Sequence, residues 1–242
     1  MPSAWPGDAE ELRQEQRHLA ALSPAAWCVT PGARVGACFV CFAEDSSALE
    51  AGAEPAWAAA VTFEAGRRVA AAVVEGSTAA AYQAGLLALR AGPLLAAAVT
   101  RLQRPPDVLL VNATGRDHPR RAGLALHLGA VVELPTVGVT DRPLAAADAV
   151  GDLSGGPATR TLRLDGCDVA ALARVGPGRR GVWAHAAWRT DAATAFALVR
   201  ALGGSARTPA PLREARRLAR TARAWAQGAA PYPPNDPRPW RW

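Results

Sequence analysis

Cysteines are the first candidates for chemistry in this sequence, because paired thiolates can hold zinc or form a redox couple. Cys38 and Cys41 are separated by two residues, which is a spacing found in both kinds of site. Both fall in the β-rich run 35–42, and on a strand two residues an odd number of positions apart point to opposite faces. No second cysteine pair occurs at zinc-site spacing. We therefore interpret this pair as ordinary buried thiols.

Basic side chains are the second candidates, because they bind phosphate. The formal net charge is +6 at pH 7, the pI is near 10.0, and every basic residue is an arginine. This balance is compatible with nucleic-acid binding, since neutralising phosphates releases counterions. Arginine together with abundant alanine and proline also indicates a GC-rich genome, so the charge alone is a weak signal. The arginines of 213–223 have helical spacing, which is typical of a solvated helix face.

Length and composition favour one soluble domain. The chain has 242 residues, of which 50% are hydrophobic, so it is long enough to bury a core and too apolar for global disorder. Its apolar runs are shorter than the roughly 20 residues that span a bilayer, and the N-terminus is acidic and polar. We expect a cytoplasmic protein with no membrane partner. Residues 1–228 are predicted to form one domain, and 229–242, rich in Pro and Trp, a flexible tail whose protein partner is unknown.

The elements that position the chemistry follow from apolar periodicity and turn residues. Helical patterns cover 10–22, 80–90, 93–102, 122–128, 191–202 and 211–225. Strand patterns cover 35–42, 57–63, 68–74, 108–112, 136–140 and 180–187, with short strands expected over 145–180. Early strands followed by alternating helices and strands predict an α/β fold, a mixed sheet flanked by helices. Chemistry gathers at the carboxyl ends of central strands in such sheets, which indicates Phe42, Asn112 and Thr140 as neighbours of a site.

Three segments in register resemble the endonuclease V family, over roughly residues 10–225. Residues 109–129 read LLVNATGRDHPRRAGLALHLG. They resemble a family segment in which a strand ends in Asp-Gly. In that segment the motif Gly-x-x-His-Pro-Arg follows, and a helix with Gly-Leu-Ala-x-His-Leu-Gly comes next. Residues 82–93 resemble an aromatic wedge running into Gly-Leu-Leu-Ala-Phe-Arg-Glu, and 134–144 the family's Leu-Pro-Thr-Ile-Gly-Val-Ala-Lys segment. The resemblance implies a ribonuclease H-like fold and a Mg²⁺-dependent nuclease that cuts a strand near hypoxanthine.

The positions that this resemblance assigns to the metal ion have changed. The family's first-strand aspartate falls on Cys38, the glutamate closing the wedge helix on Ala91, and the central-strand aspartate on Asn112. The motif lysine falls on Asp141, and a later histidine falls on Trp188. Because Mg²⁺ requires hard oxygen ligands in a near-octahedral shell, we expect no cofactor here, and Mg²⁺ only if activity is retained through other ligands.

Other motif positions are retained and imply recognition of nucleic acid. His118 matches the family histidine and, with Asn112 more weakly, is the candidate catalytic residue. The candidate nucleic-acid-binding set comprises the wedge tyrosine, positions that shape the family's base pocket and two arginines suited to phosphate: Tyr82, Gly85, Leu87, Gly115, Arg120, Arg121 and Gly123. An ordinary packing or surface role stays open for each of them.

Three functions stay open at this point. The first is an endonuclease V-like protein that recognises DNA or RNA, with inosine-containing strands as the candidate ligand, and cleaves little or not at all. The second is an active Mg²⁺-dependent deaminated-base endonuclease of DNA repair with relocated ligands: Asn112, Asp141, or Glu44 and Asp45. The third is a protein-interaction scaffold on a retired nuclease fold. The chain is thus a phosphodiester hydrolase by resemblance, and its ligand positions leave open whether it is still an enzyme.

Overall fold

The computed structural model of the chain describes residues 5–43, 54–78, 80–81, 83–144, 153–154, 160–174, 181–204 and 206–241. The helices in this part of the chain are α1 Ala9–Ala21, α2 Leu87–Thr100, α3 Leu124–Val132, α4 Ala192–Ala201 and α5 Ala210–Ala226. The strands are β1 Val35–Phe42, β2 Pro55–Glu64, β3 Arg67–Ser77, β4 Val108–Val111, β5 Thr136–Thr140, β6 Leu153–Ser154, β7 Arg160–Leu164, β8 Cys167–Ala173, β9 Val182–Ala186 and β10 Trp240–Arg241.

These strands form one mixed sheet in the order β10-β3-β2-β1-β4-β5-β9-β8-β7-β6. Strands β1, β2 and β3 are antiparallel neighbours, whereas β1, β4 and β5 run parallel and β9 returns antiparallel to β5. The parallel centre brings the carboxyl ends of β1, β4 and β5 to one edge of the sheet. The predicted mixed α/β sheet is confirmed.

Two apolar clusters enclose the sheet. One face carries α1, α2 and α3, and the other carries α4 and α5, so the sheet is buried on both sides. Cys38 belongs to the first cluster and Cys41 to the second, which confirms that the two thiols point to opposite faces. No helix in the described parts of the chain combines the length and apolarity that a bilayer crossing needs.

The prediction of separate helices over 80–90 and 93–102 is wrong. The structure has a single helix, Leu87–Thr100, with Pro93 inside it. Just before this helix, Gly85 adopts a left-handed backbone with φ +76°, which a continuing helix does not allow. Gly85 and Leu87 therefore stand at the entrance of α2, where the chain turns.

The segment after residue 228 lies against the body of the fold. Tyr232 is buried and its hydroxyl donates to the Pro237 carbonyl at 2.6 Å. Asp236 accepts from Arg217 at 2.7 Å, and Trp240–Arg241 pair in parallel with β3. The domain boundary at residue 228 and the flexibility of the tail stay predictions.

Candidate functional site

A cavity of about 230 Å³ opens at the carboxyl ends of β4 and β5. Its wall is built from α1, the entrance of α2, the loop after β4 and the end of β5; the lining includes Gln16, Gly85, Leu87, Asn112, His118 and Thr140. Two larger clefts, of about 600 and 570 Å³, lie along the C-terminal segment and along α5, away from these strand ends. Two of the three expected strand-end neighbours thus reach the cavity, while Phe42 lies under the guanidinium of Arg90, 4.1 Å from the ring centroid.

The backbone carbonyl of Gly85 organises one wall of the cavity. It accepts from Arg120 Nη2 at 2.9 Å, contacts His118 Nε2 at 3.1 Å and accepts from Gln16 Nε2 at 3.3 Å. A Cβ at this position would lie 3.1 Å from Arg120 Nη2 and 3.3 Å from His118 Nε2, on a backbone that already has positive φ. Glycine is therefore required both by the turn and by the close approach of the two side chains.

His118 lies in the same wall as a neutral ring. Its Nδ1 accepts from the Arg120 backbone N–H at 3.2 Å, which leaves the hydrogen on Nε2 to be donated to Gly85 O. Burial and then the charge of Arg120 lower the pKa of His118 to about 4. Both ring nitrogens are occupied by backbone groups, so the arrangement orients the wall; a catalytic role for His118 stays a prediction.

The two neighbouring arginines have different surroundings. Arg120 donates from Nε to Gln16 Oε1 at 2.6 Å as well as to Gly85, and burial lowers its pKa. Arg121 has a left-handed backbone, φ +60°, and pairs with Asp165, whose side chain is 88% exposed. Arg120 is thus part of the cavity wall, whereas Arg121 points to an exposed surface carboxylate.

Packing gives a reason for two other predicted residues. A Cβ on Gly115 would lie 2.0 Å from the Ala186 carbonyl oxygen, and one on Gly123 would lie 2.4 Å from the Thr114 carbonyl oxygen. Backbone cannot retreat as a flexible side chain can, so these glycines allow the loop after β4 to pack on β9 and on itself. Leu87 does line the cavity. Tyr82 lies outside the described residues.

The donor set at the family's metal positions does not fit Mg²⁺. Cys38 and Ala91 are both 0% exposed and belong to one apolar cluster. Burial raises the pKa of the Cys38 thiol well above its usual range, so it stays protonated, and Ala91 has no donor atom. Asn112 donates from Nδ2 to the Val139 carbonyl at 3.0 Å and can offer only one neutral oxygen. One neutral oxygen does not replace three carboxylates around a strongly hydrated dication.

The relocated ligands also differ from a metal shell. Asp141, in place of the motif lysine, forms an ion pair with Arg207. Glu44 and Asp45 lie outside the described residues. Within the described ranges, no group of three or more His, Cys, Asp or Glu side chains is placed to hold a metal ion. Trp188, where the family has histidine, packs against the apolar cluster of Cys38 and Ala91.

A buried polar network behind the cavity was missed by the sequence analysis. Asp117 and His185 are both 0% exposed, and His185 Nδ1 lies 2.9 Å from Asp117 Oδ1. His185 Nε2 lies 2.7 Å from Thr140 Oγ1, at the cavity. Burial alone would raise the pKa of Asp117, but contacts with His185 and the backbone N–H groups of Leu144 and Gly115 lower it below its usual range. No local motif connects these residues, because they come from a loop, β5 and β9.

Comparison with known proteins gives one family. The family model described as Endonuclease V matches residues 33–217. An endonuclease V from Rhodospirillum centenum is 36% identical over 151 residues, which are 62% of this chain and 62% of that protein, so the match spans less than two thirds of that relative. The crystal structure of endonuclease V from Streptomyces avermitilis is 31% identical with a TM-score of 0.78, covering 95% of this chain and 98% of that one.

A more distant solved structure shares the fold. The endonuclease V from Ciona intestinalis, in complex with a 24mer DNA containing an inosine followed by a ribo-adenosine, has a TM-score of 0.71 and 19% identity. The alignment covers 87% of this chain and 95% of that one. At this identity the likeness concerns the architecture.

Proposed function

The chain belongs to the endonuclease V family and has its ribonuclease H-like fold, and on this premise we propose that it binds nucleic acid, with inosine-containing strands as the ligand, and cleaves little or not at all. The observation that carries the proposal is the contrast between the cavity and the neighbouring positions that the resemblance assigns to the metal ion. A cavity of about 230 Å³ is retained beside positions where Cys38 and Ala91 have replaced carboxylates.

Recognition is supported by the size and lining of the cavity. Proteins that act on a base extract it from the stack and hold it in a pocket, where polar groups read its edges. Here Leu87 supplies apolar surface, while Gln16 and His118 are fixed by the Gly85 carbonyl and do not need to reorganise when a base enters. The solved Ciona intestinalis relative is bound to inosine-containing DNA, and a net charge of +6 favours association with a polyanion.

Weak cleavage is supported by the chemistry of the donor set. A divalent cation supplies hydroxide generation and charge stabilisation in phosphodiester hydrolysis, and it must be held by anionic oxygens. Cys38 is a protonated thiol, Ala91 has no donor and Asn112 offers a neutral oxygen. The remaining contribution of the protein is to bind a base, orient it and exclude water from it.

Two assays on the full chain test the two halves of the proposal. Binding is measured with matched strands that carry inosine or adenosine at one position, as DNA and as RNA. We expect the inosine strand to bind about tenfold more tightly, about 1.4 kcal/mol. The variant Leu87→Trp, which fills the cavity, is expected to abolish this preference while leaving binding to the adenosine strand unchanged. Equal affinity of the native protein for both strands would contradict the recognition half.

Nicking is measured at enzyme excess with Mg²⁺ and with Mn²⁺, using EDTA as the control. We expect no product that depends on the metal ion. Metal-dependent nicking next to inosine would instead support the active enzyme with relocated ligands, and a Glu44→Gln/Asp45→Asn variant would then show whether those carboxylates hold the ion.

A further inference from the structure

The buried network of Asp117, His185 and Thr140 ends at the cavity. We propose that these residues form a relay that fixes Thr140 as a hydrogen-bond acceptor, which reads a ring N–H on the base in the cavity. The ligand class is a lactam base, in which a ring N–H stands next to a carbonyl, as in hypoxanthine. The inference rests on the proposed function and adds the residue that selects the base.

Asp117 anchors the relay as a carboxylate. It lies 2.9 Å from His185 Nδ1 and accepts hydrogen bonds from the Leu144 backbone N–H at 3.0 Å and from the Gly115 backbone N–H at 3.2 Å. A buried carboxylate is stable only when such donors surround it. His185 Nδ1 faces this carboxylate at 2.9 Å and its Nε2 faces Thr140 Oγ1 at 2.7 Å, so the ring is held in one orientation between the two residues.

The hydrogens around Thr140 can then be counted. Its Oγ1 lies 2.6 Å from the Arg142 carbonyl oxygen and 2.7 Å from His185 Nε2. A hydroxyl has one hydrogen, and a carbonyl only accepts. If that hydrogen goes to Arg142, His185 Nε2 donates to Oγ1; otherwise the hydrogen goes to Nε2. In both arrangements the hydrogen is used within the protein, so Thr140 presents only a lone pair to a ligand.

An acceptor selects for a donor on the ligand. Hypoxanthine carries a hydrogen on N1 beside its C6 carbonyl, whereas adenine has a lone pair on N1. Placing two lone pairs against each other leaves both without a donor, which is an effective basis for rejecting an analogue. The family segment that this stretch resembles has alanine where this chain has Thr140, so the acceptor is a feature of this chain and not of the resemblance.

The test uses strands that carry inosine, adenosine or nebularine at one position. Nebularine is a purine nucleoside with neither N1–H nor a 6-substituent, so it removes the donor without adding bulk. The variant Thr140→Val has the same shape but no hydroxyl, and Thr140→Ser keeps the hydroxyl. For Thr140→Val we expect about a fivefold to tenfold loss of affinity for the inosine strand, with adenosine and nebularine strands unchanged. Thr140→Ser is expected to keep the native preference.

A second variant tests the relay behind Thr140. Asp117→Asn removes the charge that orients His185, and we expect about a threefold loss of the preference for inosine over nebularine, with the folded state verified by thermal melting. If the native protein prefers inosine and the Thr140→Val variant shows the same preference, the relay is overturned and the proposed function stands. A native protein that does not distinguish inosine from adenosine would overturn both.

Discussion

The cavity lies beside the site of Cys38 and Ala91, since Cys38, in the middle of β1, is the register partner of Val111, the last residue of β4 before Asn112. The chemistry of the two regions is opposite. Around the cavity, polar atoms of Gln16 and His118 are tied to backbone groups. Around Cys38, the positions that the resemblance assigns to carboxylates lie in an apolar cluster. Reading a neutral base requires oriented hydrogen-bonding groups, whereas holding a dication requires net negative charge. These demands are independent, so a chain can lose one and keep the other on the same backbone.

The difference also concerns stability. Clustered carboxylates repel one another and resist burial unless a cation is bound, so a carboxylate metal site is a weak point in a fold when its ion is absent. A thiol and a methyl group at 0% exposure contribute packing without a desolvation penalty. The cavity keeps polar groups, and those of Gln16 and His118 are paired inside the protein before a ligand arrives. One region is thus stabilised by apolar packing, and the other by satisfied hydrogen bonds.

Restoring the acidic residues should have the largest effect. Cys38→Asp puts a carboxylate into an apolar cluster, and we expect a loss of about 3–5 kcal/mol in the free energy of unfolding, measured by urea denaturation at pH 7. The matched control is Asn112→Asp, which lies on an exposed residue and is expected to cost about 1 kcal/mol or less. If Cys38→Asp were as stable as the native chain, the middle of β1 would accept a charge, and this would contradict the proposed difference between the two regions.

A triple variant extends the same experiment. In Cys38→Asp/Ala91→Glu/Asn112→Asp, millimolar Mg²⁺ is expected to recover part of the lost stability, because an ion that binds only the folded state stabilises it by mass action. The melting temperature of the native chain is expected not to respond to Mg²⁺. A Mg²⁺ response in the native chain alone would point to ligands other than these three positions.

Lowering the pH should change the stability that the cavity region contributes and leave that of the Cys38 region unchanged. This effect is expected to be smaller than that of Cys38→Asp. Folding lowers the pKa of His118 from its ordinary value of 6.5 to about 4, chiefly through burial, and it does the same to His127, which stacks on Trp5. The unfolded chain therefore binds protons before the folded one as the pH falls. Stability is complete above pH 6.5 and decreases between 6.5 and 4, by up to roughly 3 kcal/mol for each histidine. The Cys38 region, with its protonated thiol, contributes nothing over this range.

Urea denaturation between pH 7.5 and 4.5 measures this loss. The variant His127→Leu, outside the cavity, is expected to remove about half of the acid sensitivity and leave the share of His118. If the native chain is equally stable at pH 7.5 and 4.5, the histidines take up protons without unfolding. The cavity wall would then hold a charge.

Much of the architecture could be predicted from the sequence because local signals and tertiary packing agree. The bounds of β1 and β5 match the apolar runs, and α4 lies within the helical pattern predicted over 191–202. Asp191 caps this helix, with its side chain accepting from Thr194 N–H at 2.7 Å. The prediction of a helix over 80–90 failed because Gly85, which has a left-handed backbone, interrupts a stretch of helix-favouring residues. The spacing of apolar residues does not predict a left-handed backbone conformation of this kind.

The site shows the same division. Gly85, Leu87, Asn112 and His118 were found from sequence, and the structure brings them to one cavity. The relay was not predicted, because the role proposed for His185 on β9 depends on its contacts with Asp117 and Thr140, which are far away in sequence. His185 alone fits a core histidine as well as a functional one. The proposed role follows from the distances of 2.7 Å between His185 Nε2 and Thr140 Oγ1 and 2.9 Å between His185 Nδ1 and Asp117 Oδ1. The spacing of these residues in the sequence does not predict such distances.

Arg120 and Arg121 should give the smallest and most specific effects. Arg120 is committed to Gln16 and Gly85, so Arg120→Ala is expected to lower the preference for inosine about threefold by loosening the wall, with an unchanged salt dependence. Within the described part of the chain Arg121 pairs with the exposed Asp165, and exchanging a surface ion pair for a phosphate costs little. Arg121→Ala is expected to weaken binding to every strand alike and to reduce the slope of log affinity against log salt by about 1.

Binding titrations between 50 and 200 mM salt, with inosine and adenosine strands, distinguish the two arginines. If Arg120→Ala changes the salt slope and Arg121→Ala changes the base preference, the phosphate contact lies at the cavity wall and the assignments must be exchanged. The sequence places these residues side by side with the same charge. In the structure Arg120 donates to the Gly85 carbonyl, whereas Arg121, with its positive φ, pairs with Asp165, so the expected difference comes from their different contacts.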